Sequence, residues 1–187
     1  MSVKSELRKS LLVKRKAICN KKEKDRKINE YLINSDVFLN SSVILFYAPT
    51  ADEIDISYAI DIAVNMGKKI AFPRCTDKDG NMEFYFVNSY DDLVKGTFGI
   101  MEPDTDKSIL VTDFSDALCV VPALSVDDRG YRIGYGKGYY DRFLQKNSLI
   151  SNALCYNELQ SKEIPNDEYD ISVDYIITDT KILQVMK

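Results

Sequence analysis

The chain has no histidine and no tryptophan, and only four cysteines among 187 residues. Lack of histidine removes the usual general base near neutral pH, the usual activator of a nucleophile and the commonest metal ligand. The cysteines, Cys19, Cys75, Cys119 and Cys155, lie far apart with no C-x-x-C pair, so a zinc site has nothing to build on. Three of them sit in apolar or strand-like stretches, which reads as buried free thiols in a reducing compartment rather than disulfides. Any chemistry must run on Asp, Glu, Lys, Arg, Tyr, a metal or a phosphorylated intermediate.

Long hydrophobic runs are missing as well. The longest are of the type "SSVILFYAP" and "ALCVVPAL", far short of the ~18 residues that cross a bilayer. The first residues, "MSVKSELRKSLLVKRKAICNKK", scatter charge throughout and offer neither an apolar core segment nor a small-residue cleavage site, so they do not read as a signal peptide. A cytoplasmic protein with no membrane association is expected. With 45% hydrophobic residues the chain can bury one core. The expected organisation is a single domain over 1–187, in which a helical segment, 1–40, packs on an α/β core.

Charge is unevenly spread. Between Lys4 and Lys27 eleven Lys/Arg face three acids, a local +8 in a chain of net charge −4. This reads first as the solvated face of an amphipathic helix, with a nucleic-acid arm or a phosphate-binding helix over an active site as alternatives. An otherwise acidic chain without a reader module gives nucleic-acid binding little support. A Lys-rich segment also fits a mitochondrial presequence poorly.

Val3, Leu7, Leu11 and Ile18, then Ile28, Leu32 and Val37, recur at helical spacing and predict two helices. "SSVILFYAP" predicts a buried strand, "ISYAIDIAVNMGKK" a helix closed by Gly67, and "KKIAFPR" a second strand, together a right-handed βαβ unit. "TDKDGNMEFYFV" places a turn before an aromatic strand. "DALCVVPALSVD" reads as a central strand, "YYDRFLQK" as a helix, and "SNALCYN" and "VDYIITD" as the final strands. The pattern is α/β with a mostly parallel sheet, whose ligands sit at the carboxyl ends of strands.

At that place lies "RGYRIGYGKGYYDRFL", residues 129–144, with glycines at 134, 136 and 138. It matches neither G-x-G-x-x-G, since Tyr139 stands where the third glycine belongs, nor the P-loop G-x-x-x-x-G-K-[ST]. What remains is a strand, a loop of unobstructed N–H groups and a helix N-terminus, which together favour an anion. Arg132 has the fork geometry for phosphate, and Asp141 in the first helical turn suits a phosphate-bridging Mg²⁺. The bland alternative is a surface loop in which Arg132 and Asp141 form a salt bridge.

The stretch from Arg132 to Leu144, R-x-G-x-G-x-G-Y-Y-D-R-F-L, resembles the signature of the 5-formyltetrahydrofolate cyclo-ligases, also called methenyltetrahydrofolate synthetases. "KSELR" (Lys4 to Arg8), "DEIDI" around Glu53, "AFPR", "FGIMEP" and "VDYIITD" resemble further family segments in the same order. The resemblance implies a three-layer α/β/α sandwich around a mostly parallel sheet, like that of sugar-phosphate isomerases and CoA transferases. It implies ATP- and Mg²⁺-dependent cyclisation of 5-formyltetrahydrofolate, in some cases polyglutamylated, to 5,10-methenyltetrahydrofolate. The formyl oxygen takes the γ-phosphoryl group and N10 closes the ring, a route that requires no histidine.

By the same resemblance Arg132 and Tyr139 are catalytic. Lys4, Arg8, Arg132, Gly134, Gly136, Lys137, Gly138 and Tyr140 would bind ATP, and Ala48, Glu53, Tyr135 and Tyr139 the folate. Asp141 and Asp170 would hold Mg²⁺, with Asp167 and Asp174 as alternatives to Asp170. Met82 and Phe84 are candidates for the p-aminobenzoate portion or for the core, and the pocket near Val126 lacks the bulk usual in the family. A monomer is expected. The competing reading is a non-catalytic nucleotide sensor or partner-binding protein on the same scaffold.

Overall fold

The computed structural model describes residues 3–77, 79–96 and 99–186. It opens with α1 (Val3–Lys16), α2 (Lys21–Ile33) and α3 (Asp36–Asn40). Periodicity predicts two helices here. The third arises because Ser35 caps a new helix by accepting from Phe38 N at 3.3 Å, which places Val37 on α3. Ile18 falls in the turn after α1.

β1 (Val43–Leu45), α4 (Ser57–Asn65) and β2 (Lys69–Cys75) form the expected βαβ unit, with Val43 opposite Lys69 in parallel register. Beyond α4, Gly67 N bonds Val64 O and Lys68 N bonds Ala63 O, the paired bonds of a Schellman end. β3 (Met82–Val87) returns antiparallel to β2 across the turn containing Asp79 to Asn81. β4 (Leu93–Lys95) and β5 (Met101–Pro103) make a separate two-stranded sheet, and β6 (Ile109–Leu110) pairs with β3. Phe98 of the "FGIMEP" segment lies outside the described residues.

β7 (Ala117–Pro122) is the central strand anticipated from "ALCVVP". It leads not straight to the glycines but through a small hairpin of β8 (Ser125–Val126) and β9 (Arg132–Ile133). Then come α5 (Tyr139–Lys146), β10 (Ile150–Leu154), β11 (Tyr175–Ile177) and β12 (Ile182–Gln184), an antiparallel edge strand beyond the last one predicted.

The main sheet has eight strands in the order β12-β11-β10-β7-β1-β2-β3-β6. The five from β11 to β2 are mutually parallel, and antiparallel strands flank them. Numbered along the chain, these five run 2-1-3-4-5, a doubly wound order with its switch point between β1 and β7. Both faces are covered, which is why β1 and β7 read as unbroken apolar runs rather than alternating ones. On one face Phe72 meets Phe46 and Tyr90, with α4 and α2 packed together. On the other Phe84, fully buried, stacks against Phe143 of α5 at 4.8 Å. Phe84 is therefore core, as is the fully buried Val126.

No helix among the described residues is long and apolar enough to cross a membrane. All four cysteines are free: Cys119 and Cys155 are buried, Cys75 is half-buried and Cys19 is exposed. Burial pushes the Cys119 and Cys155 thiols up to about 12, leaving almost no thiolate at pH 8. Iodoacetamide at pH 8 is expected to label Cys19 in the native protein and to reach Cys119 and Cys155 only after denaturant is added, as peptide mass mapping would record.

The β8–β9 hairpin hangs on one fully buried carboxylate. Asp127 accepts from the backbone N–H groups of Arg129, Tyr131 and Ile164 at 3.1, 3.1 and 2.9 Å. Asp127→Ala strands three N–H donors, each costing roughly 1 kcal/mol or more, so a loss of about 3 kcal/mol is expected in urea unfolding.

Candidate active site

The connections from β1 and β7 leave in opposite directions, so a crevice opens past their carboxyl ends. Ala48 and Glu53 follow β1, Ala123 follows β7, and Cys75 and Asp77 mark the end of β2. The β8–β9 hairpin delivers residues 134–138 to the same edge.

Within that loop the glycines are not equivalent. Gly136 and Gly138 take φ of 91° and 71°, in the left-handed region, whereas Gly134 does not. A Cβ on Gly136 would lie 2.9 Å from Cζ of Arg8, while one on Gly134 would meet nothing within 4 Å. The N–H groups of Tyr135, Gly136 and Lys137 donate to no acceptor among the described residues, and α5 begins with no side-chain cap. A run of free donors therefore meets the positive end of a helix dipole.

α1 crosses this loop. Arg8 Nε donates to Gly134 O at 2.7 Å, and Lys4 bonds Asp170, with Asp167 Oδ2 at 3.3 Å. Burial is the largest influence on the Lys4 ammonium and lowers its pKa, but the two carboxylates together outweigh it and hold the pKa above the ordinary lysine value. Lys4 and Arg8 thus share a helical face, as their spacing implies.

Arg132 is almost wholly buried. It donates through Nη1 to Ile171 O at 2.6 Å and through Nη2 to Asp141 Oδ1 at 2.9 Å. The salt bridge of the bland alternative is thus present, but as part of a larger construction. Asp141 Oδ1 also accepts from Ile171 N at 3.1 Å, which sets it beside Asp170, the preceding residue. Asp174 is bound instead to Ser151 N and Oγ at 2.8 and 2.7 Å, stitching β10 to the approach of β11.

On the β1 side Glu53 is 6% exposed and accepts from Thr50 N and Oγ1 at 2.8 and 2.9 Å, both through Oε2. Tyr47, Tyr135 and Tyr140 gather around it. Burial first, and then the Glu53 charge, raise the pKa of Tyr47 and Tyr135; for Tyr140 burial leads, followed by Cys119 and Glu53. All three stay neutral phenols. The Tyr140 hydroxyl is sealed from solvent and has no hydrogen-bond partner among the described residues. Tyr139 faces the other way, donating to Asp77 O at 3.0 Å beside Cys75.

Lys4 with Asp170, Arg8 with Gly134 and Gly136, and Arg132 with Asp141 are in direct contact, while Tyr135 and also Tyr140, expected at ATP, lie within reach of the Glu53 charge; Ala48 is buried after β1. Lys137 is exposed, and its carbonyl accepts from Arg142 Nη1 at 2.8 Å. Two side chains escaped the sequence reading. Arg15 is 6% exposed and donates to Ala123 O at 2.5 Å, with Tyr135 Oη at 3.5 Å; its place seven residues after Arg8 and four after Leu11 was the available signal. Glu102, in "FGIMEP", is 4% exposed and has no hydrogen-bond or ion-pair partner among the described residues.

Known proteins resemble this chain over most of its length. The sequence profile of the 5-formyltetrahydrofolate cyclo-ligase family matches residues 1–179. A probable 5-formyltetrahydrofolate cyclo-ligase of Caenorhabditis elegans is 32% identical over 94% of this chain and 92% of its own. Another, from Schizosaccharomyces pombe, is 30% identical over 76% and 77%. The NMR structure of Aquifex aeolicus 5,10-methenyltetrahydrofolate synthetase superposes with a TM-score of 0.86 at 29% identity, covering 100% of this chain and 94% of that one. Profile, relatives and fold converge on one assignment, and the chain belongs to the 5-formyltetrahydrofolate cyclo-ligase family.

Proposed function

We propose that the protein converts 5-formyltetrahydrofolate to 5,10-methenyltetrahydrofolate at the expense of ATP, releasing ADP and phosphate. The observation that carries this reading is the loop at 135–137. Its N–H groups have no acceptor among the described residues, Arg8 of α1 is bound to the Gly134 carbonyl just before it, and the buried Glu53 acts on the Tyr135 phenol within it.

Phosphate oxygens of ATP accept from the loop and from the N-terminus of α5, with Lys4, Arg8 and Arg132 supplying positive charge. Glu53, whose Oε1 accepts no hydrogen bond from the described residues, takes the N–H groups of the pterin ring, and Tyr135 and Ala48 line that side. Tyr139, on the β2 side, donates to Asp77 O and leaves its ring to the reacting groups. The formyl oxygen then attacks the γ-phosphorus as the bond to ADP breaks. N10 adds to the activated carbon and loses its hydrogen as a proton to water, and phosphate leaves with the electron pair of the C–O bond. Positioning and fixed charge carry the catalysis, so a chain without histidine can perform it.

Mg²⁺ fits the donor set. No group of three or more His, Cys, Asp or Glu side chains among the described residues is arranged to hold a metal. Asp141 nevertheless accepts from the N–H of Ile171, the residue after Asp170, and each of the two carboxylates carries its hydrogen bonds on one oxygen. Two carboxylates completed by phosphate oxygens and water suit the hard, octahedral ion, which would neutralise charge on the phosphates. Asp141 and Asp170 would hold it, and Arg132 would orient Asp141.

Mixing the protein with 5-formyltetrahydrofolate and MgATP is expected to give the methenyl absorbance, with none when ATP is omitted or Mg²⁺ chelated. Nucleotide binding without product would instead favour a sensor on this scaffold. Arg132→Ala and Asp141→Ala are each expected to lower kcat at least about 100-fold while circular dichroism stays unchanged. Gly134→Ala is expected to leave the urea midpoint alone yet weaken ATP binding about tenfold, because its methyl group enters space open to the phosphates. An unchanged ATP affinity in that variant would remove the loop from the nucleotide site.

A further inference from the structure

Ring closure needs N10 to present its lone pair to the activated carbon, and N10 carries a hydrogen that must point elsewhere. Resting on the function proposed above, the question is which side chain receives that hydrogen. Most carboxylates at the carboxyl edge of the sheet are already engaged. Asp141 is held by Arg132 and Ile171 N, Asp170 by Lys4 and Asp167 N, and Glu53 by Thr50. Asp77 closes its own turn by accepting from Asp79 N, Asn81 N and Asn81 Nδ2.

Glu102 is different. It sits on β5, opposite Val94 of β4, and β5 is fastened to the end of β2 by Arg74 Nη1, which donates to Pro103 O at 2.8 Å. Gly96 closes over its side chain so tightly that a Cβ there would lie 2.3 Å from Glu102 Oε2. The side chain is 4% exposed, yet its oxygens have no partner among the described residues and are not among the sealed, unbonded atoms. The carboxylate therefore looks out through a narrow opening. Arg74 precedes Cys75 and Asp77 at the end of β2, and Tyr139 donates to Asp77 O, so β5 and the start of α5 are both anchored on the same strand end.

A buried carboxylate without donors is unfavourable to the folded protein, so its position calls for a donor that arrives from outside. We propose that Glu102 accepts a hydrogen bond from N10–H of the substrate and so holds N10 facing the formyl carbon. Glu53 reads the pterin end, whereas Glu102 comes from the strand fastened to the end of β2, where Tyr139 is anchored on Asp77, and at that end N10–H is the available donor. As the ring closes, the N10 lone pair forms the new C–N bond and the N10 hydrogen leaves as a proton to water. The C–O bond breaks with its pair going to phosphate.

The test compares wild type, Glu102→Gln and Glu102→Leu in the MgATP-dependent assay, with thermal unfolding alongside. Leu is expected to lower kcat about 100-fold with the KM for ATP within about threefold, since it spoils orientation and not nucleotide binding. Gln, whose amide oxygen also accepts, should stay within about fivefold of wild type. Both variants should melt at or above the wild-type temperature, because each removes an unpaired buried charge; a side chain kept for scaffolding would lower it. Leu within about threefold of the wild-type kcat, Gln as slow as Leu, or a lowered melting temperature in both would each overturn the role of Glu102. If wild type itself forms no methenyl product, the proposed function fails and this role with it. Product from wild type undiminished in Leu condemns the Glu102 assignment alone.

Discussion

The structure depends on the point where β1 and β7 lie side by side while the chain departs from them in opposite directions. Neither connection can cover the gap at their carboxyl ends without crossing the other, so a crevice is left by topology rather than carved by side chains. Everything polar of consequence is placed with reference to it: the loop after β1 carries Glu53, and the hairpin after β7 carries Arg132 and the glycines. The end of β2 carries Cys75 and Asp77. The short parallel strands, buried on both faces, make this frame stiff enough to hold carboxylates and guanidinium groups close together.

Charge at the site is unusually insensitive to conditions. Lys4 is held above the ordinary lysine value, and the phenols around Glu53 are raised, so neither kind of group titrates near neutrality. A histidine-based site switches protonation in that range. Here the electrostatic field is built once, by folding, and the reacting charges arrive with the ligands.

Much of this was legible in the sequence because hydrophobic period and turn residues agreed. The βαβ unit, the β2–β3 hairpin, β7 and α5 each followed from a short apolar run bounded by Gly, Pro or Asp. The break between α2 and α3 was hidden, since one serine cap interrupts a spacing that otherwise continues. β12 was hidden too, for three residues, two exposed and one half-buried, carry almost no pattern. Within the site, Arg132, Asp141 and the glycine loop stood out by composition. Arg15 did not, because eleven cations crowd the segment from Lys4 to Lys27 and only packing separates a buried one from solvated ones. Nor could the sequence distinguish Gly134 from Gly136, whose difference lies in backbone angle and in the guanidinium above one of them.

The bond from Arg8 to Gly134 O has an effect beyond tethering α1. A trans peptide points its carbonyl and its N–H in opposite directions, so fixing the oxygen of residue 134 toward the helix turns the N–H of Tyr135 away from it. One distant arginine thereby chooses which way a peptide plane faces and keeps that unit from flipping. The polarity of the loop, donors outward and carbonyl inward, is thus written partly in α1, more than a hundred residues earlier in the chain.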